Sequence, residues 1–488
     1  MTSYDNAVAG ESTTQEGWTT RRVVTVLALI GSLVGAIATI LLGPQSIALV
    51  SAEFGTAHGA WFVTAELIGS AVMVPLIART AELYGKRRIM MIVMAAGIVG
   101  SLLVAVAPWY GIALVGRILQ GATIASSVLG PAIVREQFPA RIAPLAVGLV
   151  ATGSGLPGAL IPFVTGPVID NLGYRYVFGG LAVAMLALAL IIRWTVRESD
   201  VRDTGTVDYR GAVLVGVCLG ALLAGISLGP TSGWVAPEVI VLIVVAIVAG
   251  VLWVRTARNT PKPLIDLSML RIPGIAAGIA AGGIVAGLGT LFLITSAVVS
   301  QTPESGGLGY GFGLSATNYA YLQTFYFLGF LIGGVLAVRA LRATSYVNVL
   351  LGGLVVLLLA GVLSFVGIHQ VLLFGVIHLA VGIVLGTFFS ANFNFIFTMV
   401  AQERRSSAGS LYLASTMAGQ SVLSVVPLTL AAVFIDAAAQ GQMTLPVIQF
   451  YLYFFVGVAL LAVVLVLAAR RRTQQDGAAS TAREVEIQ

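Results

Sequence analysis

Residues 61–88 read WFVTAELIGSAVMVPLIARTAELYGKRR, a long apolar run holding one acid, Glu66, and closing on a charged loop. The apolar part is about 20 residues long, which at 1.5 Å per residue crosses a hydrocarbon core of about 30 Å. A soluble amphipathic helix would carry its charges down one face. Here Arg79, Glu82, Lys86, Arg87 and Arg88 gather at one end instead. The stretch therefore predicts a membrane span followed by a short, positively charged connection.

The same pattern repeats along the chain. Of its 488 residues, 58% are hydrophobic and only 9% charged, against about 25% charged in ordinary soluble domains. The bilayer is the solvent such a composition requires. Apolar stretches of spanning length predict fourteen helices, at 23–43, 59–79, 89–107, 112–134, 144–169, 176–195, 211–229, 237–256, 273–299, 316–338, 347–367, 371–399, 408–435 and 448–469. Gly and Pro recur within them, as membrane helices tolerate, and the 57 glycines suit close packing through small residues.

The basic residues test that count. With fourteen spans, every one of the 26 Lys and Arg residues except Arg117 and Arg175 falls on the side of the two termini. Positive charge marks the cytoplasmic face, so both termini are expected inside a plasma (inner) membrane. Residues 1–20 are polar and read as a disordered cytoplasmic tail. Arg21 and Arg22 then lead into an apolar run with no small-x-small cleavage site, which reads as a first membrane helix rather than a signal peptide. The only cysteine, Cys218, lies in an apolar run and cannot form an internal disulfide or a cysteine-rich metal site.

Two charged connections, 196–210 and 257–271, bracket the seventh and eighth spans. The chain divides into a tail (1–20), a six-helix bundle (21–196), an inserted helix pair with its linkers (197–271), a second six-helix bundle (272–470) and a cytoplasmic tail (471–488). The longest outer loop, 300–315, is Gly-rich and carries Glu304 and Tyr310.

Several local motifs fall in order along this frame. The loop Ala78-Arg79-Thr80-Ala81-Glu82-Leu83-Tyr84-Gly85-Lys86-Arg87-Arg88 is followed in span four by Arg117-x-x-Gln120-Gly121. Span five carries Gly148, Pro162 and Gly166, and then comes Tyr174-Arg175-Tyr176-Val177-Phe178. The inserted pair opens on Val207-Asp208-Tyr209-Arg210-Gly211, continues through Gly233-Trp234 and ends near Pro263-Leu264-Ile265-Asp266-Leu267. Together these resemble the major facilitator superfamily, and in particular its fourteen-span drug:proton antiporter branch, over residues of about 20–470. The resemblance implies an all-α polytopic fold of two six-helix bundles and alternating access between them. The first loop departs from the family's pattern at Ala78 (usually Gly) and Glu82 (usually Asp). Pro157, Ile161 and Thr165 stand where the family's fifth-span motif has glycines. Many members also carry an Asp in the first span, whose place here is taken by Thr39.

The candidate coupling residues follow from intramembrane charge. Glu66 lies well inside span two, and an acid there costs about 2.5 kcal/mol or more unless paired, hydrated or protonated. In general, burial of a carboxylate favours its neutral form and a nearby cation its charged form, which is the behaviour proton coupling requires. Arg117 is the one basic residue inside a span, at a depth close to that of Glu66, so the two are expected to pair. By resemblance, the motif arginine takes part in proton transfer. The loop residues Glu82, Gly85, Lys86, Arg87 and Arg88 would form a cytoplasmic gate by the same resemblance, besides fixing the topology. Gly148, Pro157, Pro162 and Gly166 would make span five a flexible, closely packed gating helix, or serve ordinary packing.

Substrate contacts are expected from spans rich in aromatics and amides: Tyr319, Gln323 and Tyr326 in span ten, Asn392 and Asn394 in span twelve. A buried amide needs a partner, which favours these over the aromatics that form lipid-facing belts. His378 is a lone histidine in span twelve and reads as structural. The expected function is proton-coupled efflux of small amphipathic or drug-like compounds. Transport of a lipid or metabolite without proton antiport, by uniport or uptake, is the alternative. A membrane enzyme would need clustered acids or a metal site and a domain-sized loop, and a channel would have no use for the gating motifs. No metal and no cofactor beyond the proton gradient is expected, and no nucleic acid. The expected partners are a small-molecule substrate, protons and membrane lipids, around a monomer.

Overall fold

The computed structural model describes residues 17–56, 59, 61–152, 155–199, 208–260, 263, 267–303, 308–400, 405–431 and 444–487. The N-terminal tail to residue 16, the linker segments 200–207 and 264–266, the loop segment 304–307 with Glu304, and Arg404 lie outside the described residues.

Helices fill nearly all of what is described. The first half holds α1 (Thr20–Phe54), α2 (Trp61–Tyr84), α3 (Lys86–Val106), α4 (Tyr110–Gln120), α5 (Ser126–Gln137), α6 (Ala143–Thr152), α7 (Gly155–Leu172) and α8 (Tyr174–Thr195). The inserted pair is α9 (Tyr209–Ser232) and α10 (Pro237–Asn259). The second half holds α11 (Pro273–Gln301), α12 (Ala316–Ala343), α13 (Tyr346–Gly367), α14 (Val371–Thr398), α15 (Arg405–Ala431) and α16 (Leu445–Ile487). Among the described residues, twelve helical stretches are long and apolar enough to cross a membrane. The two remaining expected spans, 144–169 and 408–435, coincide with α6–α7 and with α15. Span four is α4 and α5 joined by a turn of 3-10 helix, Gly121–Ala125. The last helix runs on through the expected tail as far as Ile487.

Local sequence explains where the helices start. Thr19, Asp208, Ser315 and Ser345 each accept a hydrogen bond on the side chain from a backbone N–H of the first turn, so these starts are satisfied without water. Pro237 and Pro273 stand in the first turn of α10 and α11, where the missing N–H costs nothing. Between α2 and α3 the chain reverses at Gly85, whose φ of 103° is open only to glycine.

Each half has its own apolar core. In the first, Leu29, Met90, Ile133 and Ile192 lie in one cluster, with Phe62, Val104 and Phe178 in a second nearer the opposite end. In the other half, Leu288, Leu357, Val381 and Phe455 lie in one large cluster. The face carrying the start of α1 and the α2–α3 loop is termed the near face, and the opposite one the far face. At the near face Arg21 Nε donates to Thr195 O (2.9 Å), tying the start of α1 to the end of α8. At the far face Arg175 bridges three helix ends, with Glu53 of α1 at 2.6 Å and the carbonyls of Ala105 and Ala107 after α3 at 2.9 and 2.6 Å.

The halves meet along two joints. In one, α7 packs on α12: a Cβ on Gly166 would lie 2.7 Å from the Cα of Thr317, and the Asp170 carboxylate accepts from the N–H groups of Ala316 and Thr317, both at 2.8 Å. This joint presents Leu160, Phe163, Val164, Tyr321 and Phe325 outward. In the other, α2 packs on α15, and α9 packs on both of them. Ala212 and Val215 of α9 share a core with Ile279 of α11 and Tyr412 of α15, against which Val72 and Leu76 of α2 also pack. α10 lies on α9 and turns Ile240, Val241, Val244, Ile247 and Val248 outward, as a lipid-facing helix must.

Small residues set the spacing of α2 and α4. A Cβ on Gly69 would sit 2.2 Å from the carbonyl oxygen of Ile118, which is backbone and cannot turn aside. Gly69→Ala is expected to lower the thermal unfolding temperature of the purified protein by several degrees, an overpacking cost of about 1–3 kcal/mol. Gly220→Ala on α9, where nothing lies within 4 Å, is expected to leave it unchanged or slightly raised. Equal effects at the two positions would show that the α2–α4 approach is not tight.

Candidate functional site

The first half encloses a buried ion pair. Glu66 of α2 and Arg117 of α4 are 1% and 0% exposed, and Arg117 Nη2 donates directly to Glu66 Oε2. Three more bonds hold the guanidinium: Nε to Phe62 O (2.7 Å), Nη1 to Thr39 O (2.9 Å) and Nη1 to Gln120 Oε1 (2.7 Å). Its plane lies near the Phe62 ring, 4.8 Å to the centroid, with Phe178 at 5.8 Å. Gln120 is oriented in turn by donating to Ser101 Oγ (2.8 Å). Each of these is a charge-assisted or fully desolvated contact, the kind that can repay the removal of charge from water.

Glu66 has a second partner. Thr39 Oγ1 of α1 lies within hydrogen-bonding reach of Glu66 Oε1 and also of Ala36 O, at 2.8 Å. The hydroxyl has one proton and can donate to only one of them at a time. Small residues make room for the group: a Cβ on Gly43 would meet the guanidinium at 2.8 Å, and one on Gly121 would meet Glu66 O at 2.5 Å. The second of these contacts lies in the 3-10 turn that interrupts span four.

The α2–α3 loop is fastened within the first half and its tether. Arg79 pairs with Glu82 at 2.8 Å, and Lys86 pairs with Glu136 of α5. Ser199 donates to the same Glu136 carboxylate at 2.9 Å and accepts from Lys86 N at 3.4 Å. Arg87 donates to Arg193 O (2.7 Å), and Arg88 N donates to Glu198 Oε2 (3.1 Å). Gly85 sits against Glu198, whose carboxylate would lie 2.3 Å from an added Cβ. The segment that leaves α8 thus covers the start of α3.

Span five is described as α6 and α7, with 153–154 outside the described residues. Gly148 has nothing within 4 Å of an added Cβ, whereas Gly166 lies in the tight α7–α12 approach. Pro162 and Pro167 both fall inside α7, and the side chain of Pro157 is outside the described residues.

The four candidate substrate residues whose side chains are described do not gather at one place. Gln323 is buried and accepts from Gln45 Nε2 across the two halves (2.6 Å), while its own amide donates to Tyr319 OH (3.3 Å). Tyr319 OH donates to Leu293 O (3.1 Å). Tyr326 is buried in the core of the second half beside Phe327. Asn392 lies toward the near face, donating to Gly278 O (2.9 Å) and accepting from Tyr346 OH (2.5 Å). The side chain of Asn394 is outside the described residues. His378 sits between Phe292 and Phe374, with Nδ1 at 2.7 Å from Phe374 O and Nε2 at 2.6 Å from Ser296 Oγ.

Sequence reading passed over several polar groups between the halves. Gln45 accepts from Thr165 Oγ1 of α7 (2.8 Å), so three helices converge on it. Thr64 of α2 and Ser424 of α15 share a hydrogen bond of 2.8 Å. The signal for Gln45 was present, an amide directly after Gly43-Pro44 and followed by further apolar residues beyond the expected end of the first span at 43, and the helix in fact continues to Phe54. Among the described residues no cluster of His, Cys, Asp and Glu could hold a metal ion.

Comparison with known proteins follows the same lines. The family model described as Major Facilitator Superfamily matches residues 25–211. The chain is 30% identical over 223 residues to the multidrug resistance protein Stp of Mycobacterium tuberculosis, covering 45% of this chain and 41% of that protein. It is 24% identical over 320 residues to the uridine/deoxyuridine transporter of Lactococcus lactis, covering 62% and 63%. The chain thus spans about two fifths of the length of the first relative and under two thirds of the second. Among solved structures, the POT family transporter PepTSo superposes with a TM-score of 0.64 at 14% identity, covering 94% of this chain and 99% of that one. The human organic anion transporter MFSD10 does so at 0.59 and 15%, covering 92% and 100%.

The buried pair makes a stability prediction. Arg117→Gln leaves the Glu66 carboxylate without its cation and three oxygens without their donor, and is expected to cost about 3–5 kcal/mol. Glu66→Gln keeps all three neutral acceptors of Arg117 and is expected to cost less. The double substitution should cost less than the sum, as coupled neighbours do. Thermal unfolding of the four proteins in one detergent measures this, and strictly additive shifts would rule out coupling between the two side chains.

Proposed function

We propose that this chain, whose residues 25–211 match the Major Facilitator Superfamily model, is a secondary active transporter of that superfamily that exports small amphipathic or drug-like compounds in exchange for protons. The observation that carries the proton half of this reading is the setting of Glu66. When the carboxylate is ionised, Thr39 donates to it and Arg117 neutralises it. When it is protonated, its O–H can donate to Thr39 Oγ1, which then donates to Ala36 O at 2.8 Å. Arg117 keeps its bonds to Phe62 O, Thr39 O and Gln120 Oε1 in either case. Both protonation states therefore find hydrogen-bond partners in one backbone arrangement, which suits a group that must load and release a proton. Thr39 stands where many relatives carry an acid, and Glu66 of the neighbouring helix supplies one beside the same arginine.

The contacts between halves support alternating access. The polar ones gather toward the far face: Asp170 with Ala316 and Thr317, Gln45 with Gln323, and Thr64 with Ser424. We take the far face as the outer one, in keeping with the basic residues at the near face. The described conformation is then sealed on the outside. Opening requires α7 to part from α12 and the Asp170 bonds to break, a two-state packing change of the kind that gates transporters. Similarity to a uridine/deoxyuridine transporter, which extends over 62% of this chain, favours metabolite transport as the second reading.

Proteoliposomes carrying an imposed pH gradient decide between the two. With a panel of lipophilic cations and neutral drugs, wild-type protein is expected to dissipate the gradient on addition of a cargo, and Glu66→Gln is expected to lose that response while still exchanging labelled cargo for unlabelled cargo. Full gradient dissipation by Glu66→Gln would remove this residue from the coupling. Transport that leaves the gradient intact in the wild type would establish uniport.

A further inference from the structure

The joint between the halves carries the Asp170 carboxylate at its far rim, and deeper in no charged side chain among the described residues. Glu66 and Arg117 lie fully buried at membrane depth. They neutralise one another inside the first half, enclosed by α1, α2, α4 and the Phe62 and Phe178 rings. An ionic cargo brought into the joint past the Asp170 rim would meet no counter-charge at the depth of Gln45 and Gln323, and an unpaired ion at that depth costs about 2.5–3.5 kcal/mol or more.

What the joint does offer is a chain of uncharged groups that pair donor with acceptor. Thr165 donates to Gln45 Oε1 (2.8 Å), Gln45 Nε2 donates to Gln323 Oε1 (2.6 Å), and Gln323 Nε2 donates to Tyr319 OH (3.3 Å). Gln45, Gln323 and Tyr319 are fully buried. Two hydroxyls beside this chain are buried without a partner among the described residues: Ser46, which follows Gln45 on α1, and Ser300 of α11. Ser300 precedes Gln301, whose amide reaches Pro44 O of α1 at 3.5 Å. Buried polar atoms without partners are uncommon and call for an explanation.

We infer that the Gln45–Gln323 amide pair is the cargo-reading element, and that the cargo is an uncharged molecule carrying a hydrogen-bond donor and acceptor side by side, as an amide, imide or hydroxylated group does. This rests on the transport reading above. When the halves part, Gln45 presents a free donor at Nε2 and Gln323 a free acceptor at Oε1. A cargo with both can replace the missing amide on each side. A cation has donors or no hydrogen-bonding group at all and leaves buried amide atoms unpaired, which is the mismatch that sites built on hydrogen bonds reject most strongly.

Equilibrium binding to the purified full-length protein tests the inference without any proton gradient. The probes are tritiated uridine and tritiated chloramphenicol, both uncharged with adjacent donors and acceptors, and tritiated tetraphenylphosphonium, a cation with neither. Saturable binding of a neutral probe, with tetraphenylphosphonium failing to bind, is expected. Gln45→Ala and Gln323→Ala should each weaken that binding about tenfold, which is about 1.4 kcal/mol, and Gln323→Asn, which keeps an amide, should lose less. Thermal unfolding of each variant confirms that it is folded. Binding of the cation and of neither neutral probe overturns the inference, as does binding of no probe, or neutral binding that both alanine variants leave unchanged. Failure of proton coupling would appear only in the Glu66→Gln exchange experiment and would leave these binding results standing.

Discussion

A carboxylate and a guanidinium facing each other in a medium without water are the constraint around which the first half is arranged. Either charge alone at that depth is costly unless hydrogen bonds offset it, and each fixes where the other's helix must run. Arg117 reaches α1 through Thr39 O and α2 through Phe62 O and Glu66. Three helices are thus registered on one side chain. Glycine then becomes obligatory at Gly43, Gly69 and Gly121, because the backbones have to come close enough for those bonds to form. The departure of span four into a 3-10 turn falls at this same point of approach, where a Cβ would strike Glu66 O and Ser70 N.

The second half is built differently. Its core is aromatic and aliphatic, and several of its buried polar groups find partners locally: His378 with Ser296 and Phe374 O, Asn392 with Tyr346 and Gly278 O. One half holds the titratable chemistry and the other is neutral. The groups that join them are amides and hydroxyls, together with the Asp170 carboxylate capping the start of α12. Bonds of that kind break in pairs and re-form with other partners at modest net cost.

Much of this could be read in the sequence, and what could not has a physical cause. Spans are written in apolar length, a one-dimensional signal that needs no knowledge of packing. The meeting of Glu66 and Arg117 was legible too, because depth alone places two charges at one level and their cost does the rest. Rotation of a helix about its axis is not written so plainly in a segment apolar on all sides. Asn392 and Gln323 were grouped as candidate substrate amides of two aromatic-rich spans, yet they lie at different levels with different partners. Gln45 was overlooked because a single amide carries no net charge to draw attention. The contacts of Lys86 and Arg88 with Glu136, Ser199 and Glu198 depend on a reversal at Gly85 and on a tether that folds back over it. Nothing in local sequence spacing brings residues 86 and 198 together.

The inserted pair makes the two joints unequal. Where α2 meets α15, α9 lies over the junction with a shared core, so parting the halves there would expose apolar protein surface to its own helix neighbour. Where α7 meets α12, Phe163 and Tyr321 stand 5.1 Å apart on a rim turned outward. The surrounding acyl chains can wet that second junction but not the first. Of the two junctions, then, only the α7–α12 rim lies open to the medium around the protein, while α9 and α10 shield the other.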